Sequence, residues 1–118
     1  MVRKAQLEAV ADVDVGRARL LAERFKVGAY FSDPMRIIED KDIEAVDICL
    51  PTFLHSRFVM LALESGKHVF CEKPMGFSTK EANAIVSEVD KTGLSLMVGY
   101  NHRFEAPFRR IKEILDSG

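Results

Sequence analysis

Only two cysteines occur among the 118 residues, and they form no Cys-x-x-Cys pair. Neither a disulfide framework nor a thiolate metal site is therefore expected. Cys49 and Cys71 both sit in apolar runs, which favours buried thiols in a reducing compartment, with the cytoplasm as the expected location. The three histidines, His55, His68 and His102, lack metal-ligand spacing. No Gly-x-Ser-x-Gly elbow is present, which argues against acyl transfer by a serine nucleophile. Acidic and basic residues nearly cancel, leaving a formal net charge of −1. The short runs Arg3-Lys4 and Arg109-Arg110 are interleaved with acids and read as solvated faces, so no nucleic-acid partner is expected. No apolar run approaches the roughly 20 residues that span a bilayer, and the start has no signal-peptide core. The expectation is a soluble chain with no membrane partner and no export signal.

What is present is the composition of an ordinary globular domain, 47% apolar and 30% charged, in a length suited to one domain. Leu7 to Ala11 reads as a strand stopped by Asp12-Val13-Asp14, with Asp14 as a helix N-cap. Behind it Ala18, Leu21, Ala22 and Phe25 form one helical stripe, and Gly28 is the expected C-cap. Ala29-Tyr30-Phe31 is a minimal strand, followed by a short helix over about Pro34 to Glu39. Ala45 to Leu50 is a nearly continuous apolar run, as in a parallel sheet covered on both faces, although Asp47 breaks it.

Thr52 then caps a helix with Leu54, Phe58, Leu61 and Ala62 on one face and Gly66 at its end. Lys67 to Cys71 is a strand. Ser78-Thr79-Lys80-Glu81 is a capping box, and Ala82, Ile85, Val86 and Val89 give the following helix its apolar face up to Gly93. Leu94 to Val98 is a further strand, and from Glu105 onward Phe108, Ile111 and Leu115 mark a last helix. Strict alternation of strand and helix implies an α/β fold with a doubly wound, mostly parallel sheet of the Rossmann type. In such sheets ligands sit at the carboxyl ends of the strands. Those ends are Asp12, Pro51-Thr52, Glu72-Lys73-Pro74 and Gly99-Tyr100-Asn101.

An acid just past a strand, such as Asp12, is placed to accept hydrogen bonds from a ribose diol; it equally suits a turn or a cap. Thr52 and His55 stand at the mouth of a helix, where free N–H groups favour an anion or polar cofactor group. Capping alone would account for Thr52, and a surface histidine for His55. Glu72 and Lys73 are adjacent on an extended segment and point to opposite faces if the strand continues. A lysine there could stabilise developing oxyanion charge or act as an acid, or it could be one charge of an exposed turn before Pro74.

Together these residues resemble the glucose–fructose oxidoreductase, inositol dehydrogenase and MocA (Gfo/Idh/MocA) family of nicotinamide-dependent dehydrogenases. The resembling pieces are Val10 to Asp14, Ala45 to Thr52 with His55, Gly66-Lys67-His68-Val69-Phe70-Cys71-Glu72-Lys73-Pro74, and Val98 to Phe104. The resemblance implies that Asp12 binds the adenosine ribose of NAD rather than NADP, and that Pro51, Thr52 and His55 line the cofactor's path. It further implies that Glu72, Lys73 and Pro74 reach the nicotinamide ribose and the substrate, with Lys73 as the catalytic lysine and a cis Lys73-Pro74 bond as in many members. Asn101 and Arg103 match positions beside the nicotinamide and the junction to a substrate domain. The implied reaction is hydride transfer between NAD and a sugar or cyclitol hydroxyl carbon.

Two departures from the family pattern set further expectations. The Gly-x-Gly-x-x-Gly loop and its strand are not found ahead of Leu7, and the antiparallel domain that carries the acid–base histidine is not found after Gly118. Residues 1–99 thus read as a partial dinucleotide-binding domain, and 100–118 as a junction with the first helix of a substrate domain. A fragment of this kind is expected to be inactive alone and to associate as a homo-oligomer, by rearranged sheet pairing or as an intertwined dimer, because a missing central strand leaves unpaired edges. The alternative is a non-catalytic Rossmann-like module that binds itself or a partner.

Overall fold

The computed structural model describes residues 5–118, so Met1 and the Arg3-Lys4 pair lie outside it. The elements are β1 (Ala9–Ala11), α1 (Val15–Phe25), β2 (Ala29–Phe31), α2 (Met35–Ile38), β3 (Ala45–Ile48), α3 (Thr52–Glu64), β4 (His68–Cys71), α4 (Thr79–Thr92), β5 (Leu96–Val98), a 3-10 turn (Asn101–Phe104) and α5 (Ala106–Asp116). The strand–helix alternation and the purely parallel pairing are those expected of a Rossmann-type α/β fold.

The sheet is divided. β1 pairs with β2 alone, while β3, β4 and β5 form a separate three-stranded sheet in that order. No ladder joins β1 to β3, so the parallel sheet is present as two pieces with open edges, as expected of a Rossmann-type sheet without its central strand. A cleft of about 330 Å³ is bounded by Glu8, Ala9 and Phe31 on one side and by Asp42 and Ile43 on the other.

Register decides which residues enter the core. Val46 stands opposite Val69 and Ile48 opposite Cys71, and all four are buried against Val59, Ala62 and Leu63 of α3 and Ile85 of α4. Full burial of a side chain such as Leu63 or Ile85 contributes roughly 1.5–3 kcal/mol. The alternate residues Ala45, Asp47, His68 and Met97 face the other way and are exposed. That period-two alternation explains Asp47: it lies on the uncovered face of the sheet, not in a strand sealed on both sides.

The helix ends follow local chemistry, with two departures from the sequence reading. Asp14 caps α1 as expected, its Oδ1 accepting from the amides of Gly16 and Arg17 at 2.9 and 3.3 Å. The C-cap of α1 is Lys26, in the left-handed region at φ 56°, two residues before Gly28. Val27 N–H then reaches back to the Ala22 carbonyl, satisfying the helix end without a glycine. α3 is not capped by Thr52, which is its first helical residue; Pro51 holds the N-cap and offers no side-chain bond. Gly66, at φ 77°, and Gly93, at φ 69°, end α3 and α4 as expected.

Lys67 is a buried cation that the sequence pattern did not mark. It donates from Nζ to the carbonyls of Asp40 and Ile43, tying the end of α3 to the segment that enters β3. At the other extreme, every residue of α5 is exposed, including Phe108, Ile111 and Leu115 of its expected apolar stripe. The chain is elongated, 52 × 31 × 26 Å with a radius of gyration of 16.3 Å. A compact chain of this length has about 13–14 Å.

Candidate functional site

All the residues singled out from the sequence stand at or beyond the carboxyl ends of parallel strands: Asp12 after β1, Pro51, Thr52 and His55 after β3, Glu72, Lys73 and Pro74 after β4, Asn101 and Arg103 after β5. Two clefts, of about 490 and 330 Å³, lie at the opposite, amino ends of the strands, among residues such as Lys41, Glu44 and Lys67 or Glu8 and Asp42. The chemistry-bearing side chains are therefore on the other rim.

The ends of β3, β4 and β5 are stitched together. Glu72 N–H donates to the Ile48 carbonyl and Gly99 N–H to the Cys71 carbonyl, extending each ladder one step past its strand. The Glu72 carboxylate accepts from the Lys73 amide at 3.1 Å and rests against Gly99, where a Cβ would lie 3.4 Å from both carboxylate oxygens. Lys73 itself is exposed, and its ammonium has no hydrogen-bond or ion-pair partner among the described residues. The Lys73-Pro74 bond is cis. Beyond it, Phe77 N–H donates to Glu81 Oε2 at 2.7 Å while Ser78 Oγ accepts from the Glu81 amide, so the capping box fixes the far side of the same loop.

His55 departs furthest from its residue-level reading. It is not a surface histidine but 1% exposed, with Nδ1 2.7 Å from the Pro74 carbonyl and Nε2 2.6 Å from the Leu50 carbonyl. The buried stripe of α3 runs through His55, Val59, Ala62 and Leu63, one residue displaced from the stripe expected over Leu54, Phe58, Leu61 and Ala62, of which Ala62 alone is fully buried. The spacing i, i+4, i+7, i+8 was a signal that could have found it.

Asp12 follows β1 at the end of the smaller sheet, its amide donating to the Phe31 carbonyl. Its Oδ1 accepts from the Asp14 amide at 2.8 Å and from Arg17 Nη2 at 3.0 Å, while no described residue bonds its Oδ2. At the start of α3 the first amides have no side-chain acceptor, because Pro51 supplies none. Asn101 and Arg103 are exposed in the 3-10 turn. Behind this edge Cys71 is buried as expected while Cys49 is exposed, contrary to the expectation, and both thiols are pushed up to about 11, first by the desolvation of each sulfur. Asp47 adds to the effect at Cys49, and the neighbouring thiol and Glu72 add to it at Cys71. Among the described residues no group of three or more His, Cys, Asp or Glu could hold a metal ion.

The sequence profile of the oxidoreductase family with an NAD-binding Rossmann fold, Gfo/Idh/MocA, matches residues 1–100. The chain belongs to this family. Among Gfo/Idh/MocA relatives, the myo-inositol 2-dehydrogenase of Thermotoga maritima is 35% identical over 118 residues, covering 100% of the chain and 35% of that protein. The NAD+-dependent scyllo-inositol 2-dehydrogenase of Bacillus subtilis is 35% identical over 114 residues, covering 97% of the chain and 33% of its own length. Scyllo-inositol dehydrogenase from Lactobacillus casei, solved with NAD(H) and scyllo-inositol, superposes with a TM-score of 0.88 at 28% identity, over 99% of the chain and 35% of its own. The 3-ketoreductase KijD10 of Actinomadura kijaniata, solved with TDP-benzene and NADP, superposes at 0.85 with 29% identity, over 96% and 35% of the two chains. The chain thus spans about a third of the length of the relatives it matches. No helix among the described residues is long and apolar enough to cross a membrane.

Proposed function

We propose that this chain is the cofactor-binding part of an oxidoreductase that moves a hydride between NAD and a hydroxyl-bearing carbon of a sugar or cyclitol. The observation that carries the reading is Lys73: an ammonium with no partner among the described residues, on a strand-end rim that belongs to a nicotinamide-dependent family. The residues present suit the cofactor. Asp12 Oδ2 is an unused acceptor for a ribose hydroxyl, and of the first amides of α3 those of Thr52 and Phe53 remain as donors for a polar or anionic group, while that of Leu54 donates to the Pro51 carbonyl. A carboxylate at Asp12 also disfavours the extra phosphate of NADP.

When bound, the nicotinamide ring accepts or supplies the hydride. The chain's own contribution is positioning and charge. Glu72 fixes the Lys73 amide, and Lys73 Nζ would donate to the substrate oxygen as negative charge builds there. Pro51 and Thr52 would border the cofactor, with His55, whose ring nitrogens face the Pro74 and Leu50 carbonyls, behind them and not in direct contact. Pro74, Asn101 and Arg103 would border the nicotinamide end and the junction to a substrate-binding portion, with residues 100–118 as that junction. The test is calorimetric titration. NAD should bind with at least about tenfold preference over NADP, and Asp12→Ala should erase the preference. Absence of binding by either nucleotide overturns the reading.

A second reading, a self-associating Rossmann-like module, is favoured by the open edges of β1 and β3 together with the exposed stripe of α5. Light scattering over micromolar concentrations tests it: a dimer or larger species supports association, and a monomer throughout removes it.

A further inference from the structure

We propose that His55 is a positioning residue, a buried tie between the loops after β3 and β4 that sets where the Lys73 amine stands; it rests on the reading of Lys73 as the reactive group. Past the bond from Glu72 N–H to the Ile48 carbonyl, no backbone hydrogen bond crosses from the loop after β3 to the loop after β4 among the described residues. The imidazole alone spans that gap, with the Leu50 carbonyl at one ring nitrogen and the Pro74 carbonyl at the other. Either tautomer donates to one of the two carbonyls, and the doubly protonated ring donates to both. The ring is inside the protein at 1% exposure, so neither carbonyl has water as an easy substitute there.

The connection to Lys73 is through the main chain. On its amino side the residue is held by its amide, which donates to Glu72 Oε2. On its carboxyl side the carbonyl one residue on, that of Pro74, is the one His55 contacts. Because the Lys73 ammonium has no side-chain partner among the described residues, these two main-chain anchors are what define the origin of its reach. One anchor, Glu72, is visible in the motif itself. The other comes from a helix nineteen residues earlier in the chain.

The test is amide hydrogen exchange followed by NMR, with Lys73 as the reporter and Val69, in the middle of β4, as the reference. In His55→Leu the Lys73 amide should exchange about tenfold or more faster relative to Val69, because one end of its loop is released. Val59→Ala, which removes buried bulk one turn further along the same stripe, should speed Val69, whose exchange needs opening of the core strand, and should not raise the ratio of Lys73 to Val69. If His55→Leu does not fold, His55→Gln serves: its amide can donate to one carbonyl, and the ratio should rise by less, about threefold. A ratio that stays at the wild-type value in the folded His55 variant overturns the proposal, and so does a ratio that rises equally in Val59→Ala. The experiment contains no nucleotide. Failure of NAD to bind would remove the proposed function and leave the tie standing, and an unchanged ratio would remove the tie and leave the proposed function intact.

Discussion

The carboxylate of Glu72 packs against the α-carbon of Gly99, where an added Cβ would stand 3.4 Å from both carboxylate oxygens. Nothing in the backbone demands glycine at 99, since its φ is not in the left-handed region, and the limit on side-chain size there comes from the Glu72 carboxylate. Gly99→Ala places a methyl group at ordinary contact distance and should change NAD affinity by less than about threefold, whereas Gly99→Val displaces the carboxylate from the Lys73 amide and should weaken binding about tenfold. Calorimetry on the two variants makes the comparison.

Gly76 stands in the same relation to Glu81, more tightly. A Cβ there would meet Glu81 Oε2 at 2.9 Å and Glu81 Cβ at 3.1 Å. Gly76→Ala should push the carboxylate off the Phe77 amide and cost about 1 kcal/mol in urea unfolding. Glu81→Ala should cost a similar amount, and the double variant no more than the larger of the two, because both remove one bond.

Asp14→Ala removes the acceptor for two amides at the start of α1. The expected loss is about 1 kcal/mol, read as a lower urea midpoint with an unchanged slope.

The two thiols give a pH dependence with a definite sign. Cys49 and Cys71 are raised from 9.0 to about 11 in the folded chain, so above pH 9 the unfolded chain gives up its thiol protons first. Their contribution to stability is complete below pH 9 and is lost as the pH climbs from 9 to 11. At pH 8 Cys49, although exposed, should react with iodoacetamide more slowly than a free thiol, because less of it is thiolate. An alkylation rate equal to that of free cysteine would contradict this.

Much of the architecture was legible because its signals are local. Asp14, Gly66, Gly93 and the Ser78–Glu81 box lie where caps and stops must lie, and each is found at a helix end. The rim of candidate residues was legible too, since parallel strands put every following loop on one side. What was not legible depends on contacts between distant segments. From the sequence His55 reads as a surface or cofactor-facing residue; its helical spacing to Val59, Ala62 and Leu63 marks the inward face, but the Leu50 and Pro74 carbonyls that accept a polar ring there could not be read from the sequence. Asp47 looked anomalous because its run is apolar, yet alternation places it on an open face. The division into two sheets leaves the unpaired edges expected from the missing central strand, although no local pattern in Ala9–Ala11 or Ala45–Ile48 records it.

Lys67 and Lys73 are six residues apart and will look alike to any sequence-based inventory of amines, yet acylating reagents should distinguish them at once. Lys67 is 5% exposed with its nitrogen engaged by the Asp40 and Ile43 carbonyls, while Lys73 is exposed with no such hold. Mild treatment with acetic anhydride and mass mapping should therefore mark the rim lysine and skip the buried one, which makes the modification pattern a gauge of whether the chain is folded. Acetylation at Lys67 appears only once the knot between α3 and β3 has come undone.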